Sequence, residues 1–154
     1  MQFITDPEFK NLPGLKYIQQ VYDECDLTKL YEINIRRSRS NGTKPGVYGN
    51  MKHPKRFSPA KTAKTSQYRI SVSVMGTDAD YPWTDYRNHT YGGLRRHEYR
   101  YDSLDKLIVY AAMHELYHYL ASTGQLEGKN PASERDACLF GFDLADVYIN
   151  NRKG

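Results

Sequence analysis

Cysteine is scarce in these 154 residues: Cys25 and Cys138 are the only two. Two thiols allow at most one bridge, which excludes a disulfide framework. The expectation is a pair of reduced thiols in a cytoplasmic protein. Long apolar runs are missing as well. No stretch approaches the roughly 20 residues that cross a bilayer, so no membrane partner is expected. The opening MQFITDPEFKNLPG carries acids and prolines where a secretion signal needs a basic start and an apolar centre. Hydrophobic residues make up 39% of the chain, a lean share that still suffices for one core. Aromatic residues reach 13%, and 14 residues are tyrosine. A chain this rich in rings is not of the disordered class.

Acidic residues are absent from Ile33 to Thr77. That stretch holds Arg36, Arg37, Arg39, Lys44, Lys52, Lys55, Arg56, Lys61, Lys64 and Arg69, so it carries +10. The remainder has 12 bases against 18 acids, or −6, and the whole chain +4. A dipolar molecule of this kind can orient on a polyanion. Nucleic acid is therefore a candidate partner through the region 36–69.

No internal repeat is visible. Leu15, Ile18, Tyr22 and Cys25 fall at helical spacing after Pro13-Gly14, which predicts a helix over about 14–26. Tyr31–Arg37 and Tyr68–Val74 alternate apolar and polar residues and read as strands. Residues 38–66 between them are rich in Ser, Gly, Pro, Thr and Lys. They read as a basic loop insertion, or as one holding a short hairpin around Val47-Tyr48. His97–Tyr101 reads as a third short strand. Asp102 or Ser103 then caps a helix over about 104–122, and Gly124 suits its C-terminus. Asn130-Pro131 reads as the cap and first residue of a last helix reaching about Asn150. The fold class expected is α+β: one domain over 1–154, with a small antiparallel sheet packed on the helix near 104–122 and on a C-terminal helix.

The chemistry concentrates in His114-Glu115-Leu116-Tyr117-His118. Histidines at i and i+4 share one helix face, so both imidazoles can converge on one ion. Zinc accepts such nitrogens at about 2.0–2.1 Å. Glu115, beside the first histidine, is placed to act as a general base toward water at the metal. A catalytic zinc needs a third protein ligand and one open position. The spacing His-x-x-Gly-x-x-His does not follow His118, because Ala121 and Gly124 occupy those positions. A carboxylate at the start of the next helix is the alternative. Glu134 is the choice there, with Asp136 as an outer partner or replacement ligand. Cys138, one turn further, is a weaker option.

His114-Glu115-x-x-His118, a short loop and Glu134-x-x-Ala137 together resemble the gluzincin zinc metallopeptidases in their smallest form, as in SprT-like and ImmA/IrrE-like peptidases. The resemblance spans about residues 97–147, with 68–74 as an edge strand. It implies a Zn2+ cofactor, His114, His118 and Glu134 as ligands, Glu115 as base and a protein or peptide substrate. It also implies that the edge strand pairs with substrate backbone. The chain departs from the pattern four residues after Glu134, where many gluzincins have Asp and this one has Cys138.

The reading is zinc-dependent peptide-bond hydrolysis. The alternative is a nucleic-acid-binding module with a structural or degenerate metal site. Tyr148, His89, Tyr91 and His97 are candidates for stabilising an oxyanion. Trp83 and the tyrosines at 81, 86 and 91 could stack on bases or anchor a loop to the core.

Overall fold

The structure is a computed structural model, and it describes residues 1–38, 46–53, 67–85 and 98–153. Its strands are β1 (Gln2–Thr5), β2 (Leu30–Arg37), β3 (Gly46–Lys52), β4 (Tyr68–Met75), β5 (Trp83–Asp85) and β6 (Tyr99–Tyr101). Its helices are α1 (Pro13–Asp23), α2 (Leu104–Ser122) and α3 (Glu134–Lys153). The class is α+β, as the sequence predicts.

The sheet is mixed and not antiparallel. Its order is β1-β2-β4-β3. β1 and β4 both run parallel to β2, and only β3 runs antiparallel, against β4. The reason lies in the connection. β1 reaches β2 through α1, and a strand that returns through a helix comes back parallel. β1 escapes a reading by alternation because Gln2–Thr5 is four residues long. The expected third strand near Tyr101 does not join this sheet. It pairs with β5 in a separate two-stranded ribbon, Trp83 opposite Tyr101.

β4 is also not an edge strand. It lies between β2 and β3, so its hydrogen-bonding groups are already used, and among the described residues the edges are β1 and β3. Val47 and Tyr48, where a short hairpin is one of the two expectations, instead lie within the single strand β3, which runs beside β4 with Val47 opposite Val74. The rest of the expected basic loop, at 39–45 and 54–66, lies outside the described residues.

The core forms where the sheet meets α2. Ile33, Ile35, Ile70, Val72 and Val74 are buried from the sheet side, with Leu107, Ile108, Ala112 and Met113 from the helix. α2 is buried almost all round, as expected for a helix enclosed by other elements. It touches α1, α3, β3 and β4. Ser103 caps it, its side chain accepting the Lys106 N–H at 3.2 Å. Gly124 follows its end with φ of 78°. Gln125 N–H reaches the Leu120 carbonyl at 2.8 Å and Gly124 N–H that of Ala121 at 3.4 Å, the two bonds of a left-handed glycine stop.

One buried carboxylate joins the three helices. Asp105, in the first turn of α2, accepts the Gly14 N–H at 2.8 Å from α1. From α3 it accepts the Tyr148 hydroxyl and, at 3.3 Å, Arg152. α3 starts later than Asn130-Pro131 suggests. Ser133 Oγ accepts the Asp136 N–H at 3.1 Å and acts as the cap. Asn130 instead closes a local turn, its Oδ1 accepting the Ala132 N–H at 3.0 Å.

Candidate metal centre

Two turns of α2 and the first turn of α3 face each other. His114 and His118 lie on one side of α2, and Glu134 is the first residue of α3. His114 Nε2 is 3.1 Å from Glu134 Oε2, and His118 Nε2 is 3.0 Å from Glu134 Oε1. One ligand atom from each of the three lies within 4.8 Å of the others. A tetrahedral ion with bonds of about 2.0–2.1 Å sets its ligands roughly 3.3 Å apart. The group therefore fits a metal of the zinc type with little movement. Among the described residues it is the one such cluster of His, Cys, Asp or Glu.

The outer ring nitrogens agree with that use. His118 Nδ1 lies 2.7 Å from the Pro131 carbonyl. A carbonyl only accepts, so Nδ1 keeps a proton whatever the state of the ring, and Nε2, which meets Glu134 at 3.0 Å, is the nitrogen that would face an ion once its own proton is displaced. His114 Nδ1 lies 3.3 Å from the Tyr110 hydroxyl. Both imidazoles are nearly enclosed, whereas the Glu134 side chain is 44% exposed. The solvent side of the site is thus the Glu134 side.

Glu115 is buried and stands next to the cluster, its Oε1 3.9 Å from His114 Nε2. β3 passes directly over it. A Cβ added at Gly49 would come within 2.5 Å of Glu115 Oε1, so only glycine lets the strand approach so closely. The edge strand of the sheet and the candidate base are in contact at this point.

The protonation states follow from the surroundings. Burial disfavours the charged form of His114. Hydrogen bonds to Cys138 and Glu134 and the charge of Glu115 outweigh it and push the imidazole up to about 10. His118 is raised too, since Glu134 and the Pro131 carbonyl outweigh its burial. The hydrogen bonds from both histidines hold Glu134 far below the usual carboxylate range. Burial pushes Glu115 up, against the pull of the two histidines. A carboxyl with a raised pKa is a stronger proton acceptor when ionised.

His114, His118, Glu115 and Glu134 are thus brought together. Asp136 is not in the group; its Oδ2 lies 3.5 Å from the Tyr117 hydroxyl. Cys138 stands behind His114, buried. Tyr148 is removed from the site, because its hydroxyl is bonded to Asp105. His89, Tyr91 and His97, and likewise Tyr86, lie outside the described residues. Trp83 stacks on Tyr101 with ring centroids 5.6 Å apart, so the ring anchors its loop to the core. Sequence reasoning passed over Tyr110 and Gly49. Tyr110, four residues before His114, is legible as an i,i+4 neighbour. The Pro131 carbonyl has no side-chain signature at all.

No protein-family model matches the chain, and neither curated proteins nor solved structures yield a match.

Proposed function

We propose that this protein is a zinc-dependent peptidase whose active-site helix is α2. The observation that carries the reading is the convergence of His114 Nε2 and His118 Nε2 on Glu134, with Glu115 alongside beneath β3. Two imidazoles and one carboxylate leave a zinc one open position, the arrangement of hydrolytic sites. Zinc, when bound, supplies Lewis acidity toward a carbonyl and toward water. The protein supplies the rest. Pro131 and Tyr110 orient the imidazoles from behind. Burial raises Glu115, which takes the proton of the attacking water and passes it to the leaving amine. The mixed sheet lies against this helix with β3 as an edge strand among the described residues, and an extended peptide could add to the sheet along such an edge.

Elemental analysis of protein purified without chelator tests the metal: about one zinc per chain is expected, and a stoichiometry near zero refutes the reading. His118→Ala should lose the metal. Glu115→Gln should keep it and lose hydrolysis of a generic unfolded protein substrate.

A second reading rests on the acid-free run from Ile33 to Thr77. It makes the chain a nucleic-acid-binding module in which the metal site is structural. An active wild type silenced by Glu115→Gln excludes it as the sole function.

A further inference from the structure

The two imidazoles are supported differently. His118 leans on the Pro131 carbonyl, an acceptor whose role cannot change. His114 leans on the Tyr110 hydroxyl at 3.3 Å. A hydroxyl can donate or accept. If it donated to Nδ1, the ring proton would sit on Nε2, the nitrogen that must be bare to hold an ion. The direction is set one step further out. Tyr110 O–H donates to Cys138 Sγ at 3.5 Å. That leaves the Tyr110 oxygen as acceptor toward His114 Nδ1–H. Both groups are buried, Tyr110 at 8% and Cys138 at 3% exposure. Tyr110 is held in place by stacking on Phe142, with centroids 4.7 Å apart.

We propose that Tyr110 and Cys138 are positioning residues that together fix His114 in the tautomer that binds metal through Nε2. Cys138 does not touch the ion; its Sγ accepts the Tyr110 O–H hydrogen bond and so keeps the Tyr110 lone pair turned toward the ring. The inference rests on the zinc reading of the site. It also assigns a task to the cysteine that departs from the gluzincin pattern.

The test is zinc affinity, measured by competition with a chromophoric chelator, in the full chain. Tyr110→Phe keeps the stacked ring and removes the hydroxyl. Cys138→Ala removes the acceptor. Each should weaken zinc by about 10–100-fold, the usual cost of losing an outer partner of a metal-bound histidine. Cys138→Ser restores an acceptor and should stay within about threefold of the parent. Affinities of Tyr110→Phe or Cys138→Ala equal to the parent's overturn the proposal. So does Cys138→Ser falling as far as Cys138→Ala, since packing and not proton acceptance would then be the cause. A readout on the unaltered protein covers variants that fail to fold. In zinc-loaded parent, imidazole nitrogen NMR should place the His114 proton on Nδ1, and a proton on Nε2 overturns the proposal. A parent that binds no zinc removes the peptidase reading and this inference together. A parent that binds zinc with an indifferent Tyr110 removes only the inference.

Discussion

Glu115 and Gly49 form one unit although they are far apart in the chain. A methyl at Gly49 must displace either the strand or the carboxylate, since it would stand 2.5 Å from Oε1 and 3.0 Å from Cδ. Gly49→Ala should therefore cost about 1–3 kcal/mol of stability, the range for overpacking, and cut hydrolysis while leaving zinc bound. Denaturant melts and metal content on one sample check both parts. Glu115→Gln should lower turnover by about 10²–10⁴-fold, the contribution of a general base. The cluster also predicts a pH response of metal-free protein. His114 is raised from 6.5 to about 10, so its stabilisation is complete below 6.5 and fades as pH climbs through 10. Glu115, raised by burial, fades in the same direction. Glu134, lowered from 4.5, contributes above that value and is lost as acid reaches its depressed pKa. Melting temperatures in chelator should thus fall from pH 6.5 toward 10, while apparent zinc affinity rises because zinc competes for the same protons. A flat profile over that interval contradicts the assignment. The pentad at 114–118 was legible because helical spacing alone puts two imidazoles on one face. Gly49 was not, because its meaning depends on which strand crosses the helix.

At the level of elements, α2 was the clearest to read. Ser103, the apolar run and Gly124 mark its start, body and stop, and each is used as expected. β2 and β4 were equally plain from alternation, within one residue at each end. What alternation cannot supply is direction or order. β1 is too short for a pattern, so the parallel pairing and the interior place of β4 stayed hidden. The start of α3 was misplaced because Asn130-Pro131 and Ser133 are both good caps, and the loop geometry decides for Ser133. That cap holds the turn in which Glu134 sits. Ser133→Ala should cost about 1 kcal/mol and weaken zinc, since the first turn that presents the proposed third ligand frays. Asn130→Ala should leave zinc affinity nearly untouched. Equal effects from the two would show that the cap does not matter to the site.

Across the molecule, the basic segment loses some of its freedom on folding. Of its described bases, Arg37 pairs with Glu8 at 2.9 Å and Arg69 with Glu32 at 3.0 Å. Arg36 and Lys52 have no ion pair among the described residues. If nucleic acid binds, the log–log salt slope is about −0.9 per phosphate contact on duplex DNA. Replacing Arg36 and Lys52 by Gln should then reduce the slope by roughly 1.8. Titrations over a salt series check this, and no binding at low salt removes nucleic acid as a partner. Among the described residues no helix is long and apolar enough to cross a membrane. The proposed metal ligands belong to neighbouring helices, His114 and Glu134 being 20 positions apart. The cover over Glu115 comes from β3, which is in place only when the nonlocal sheet has closed. Contacts near in sequence form early and distant ones late. If the proposed site holds zinc, a refolding chain can thus clasp the ion between two helices before the strand that covers Glu115 arrives. Ion uptake should precede recovery of turnover, and a trapped half-folded population would look fully loaded while doing nothing.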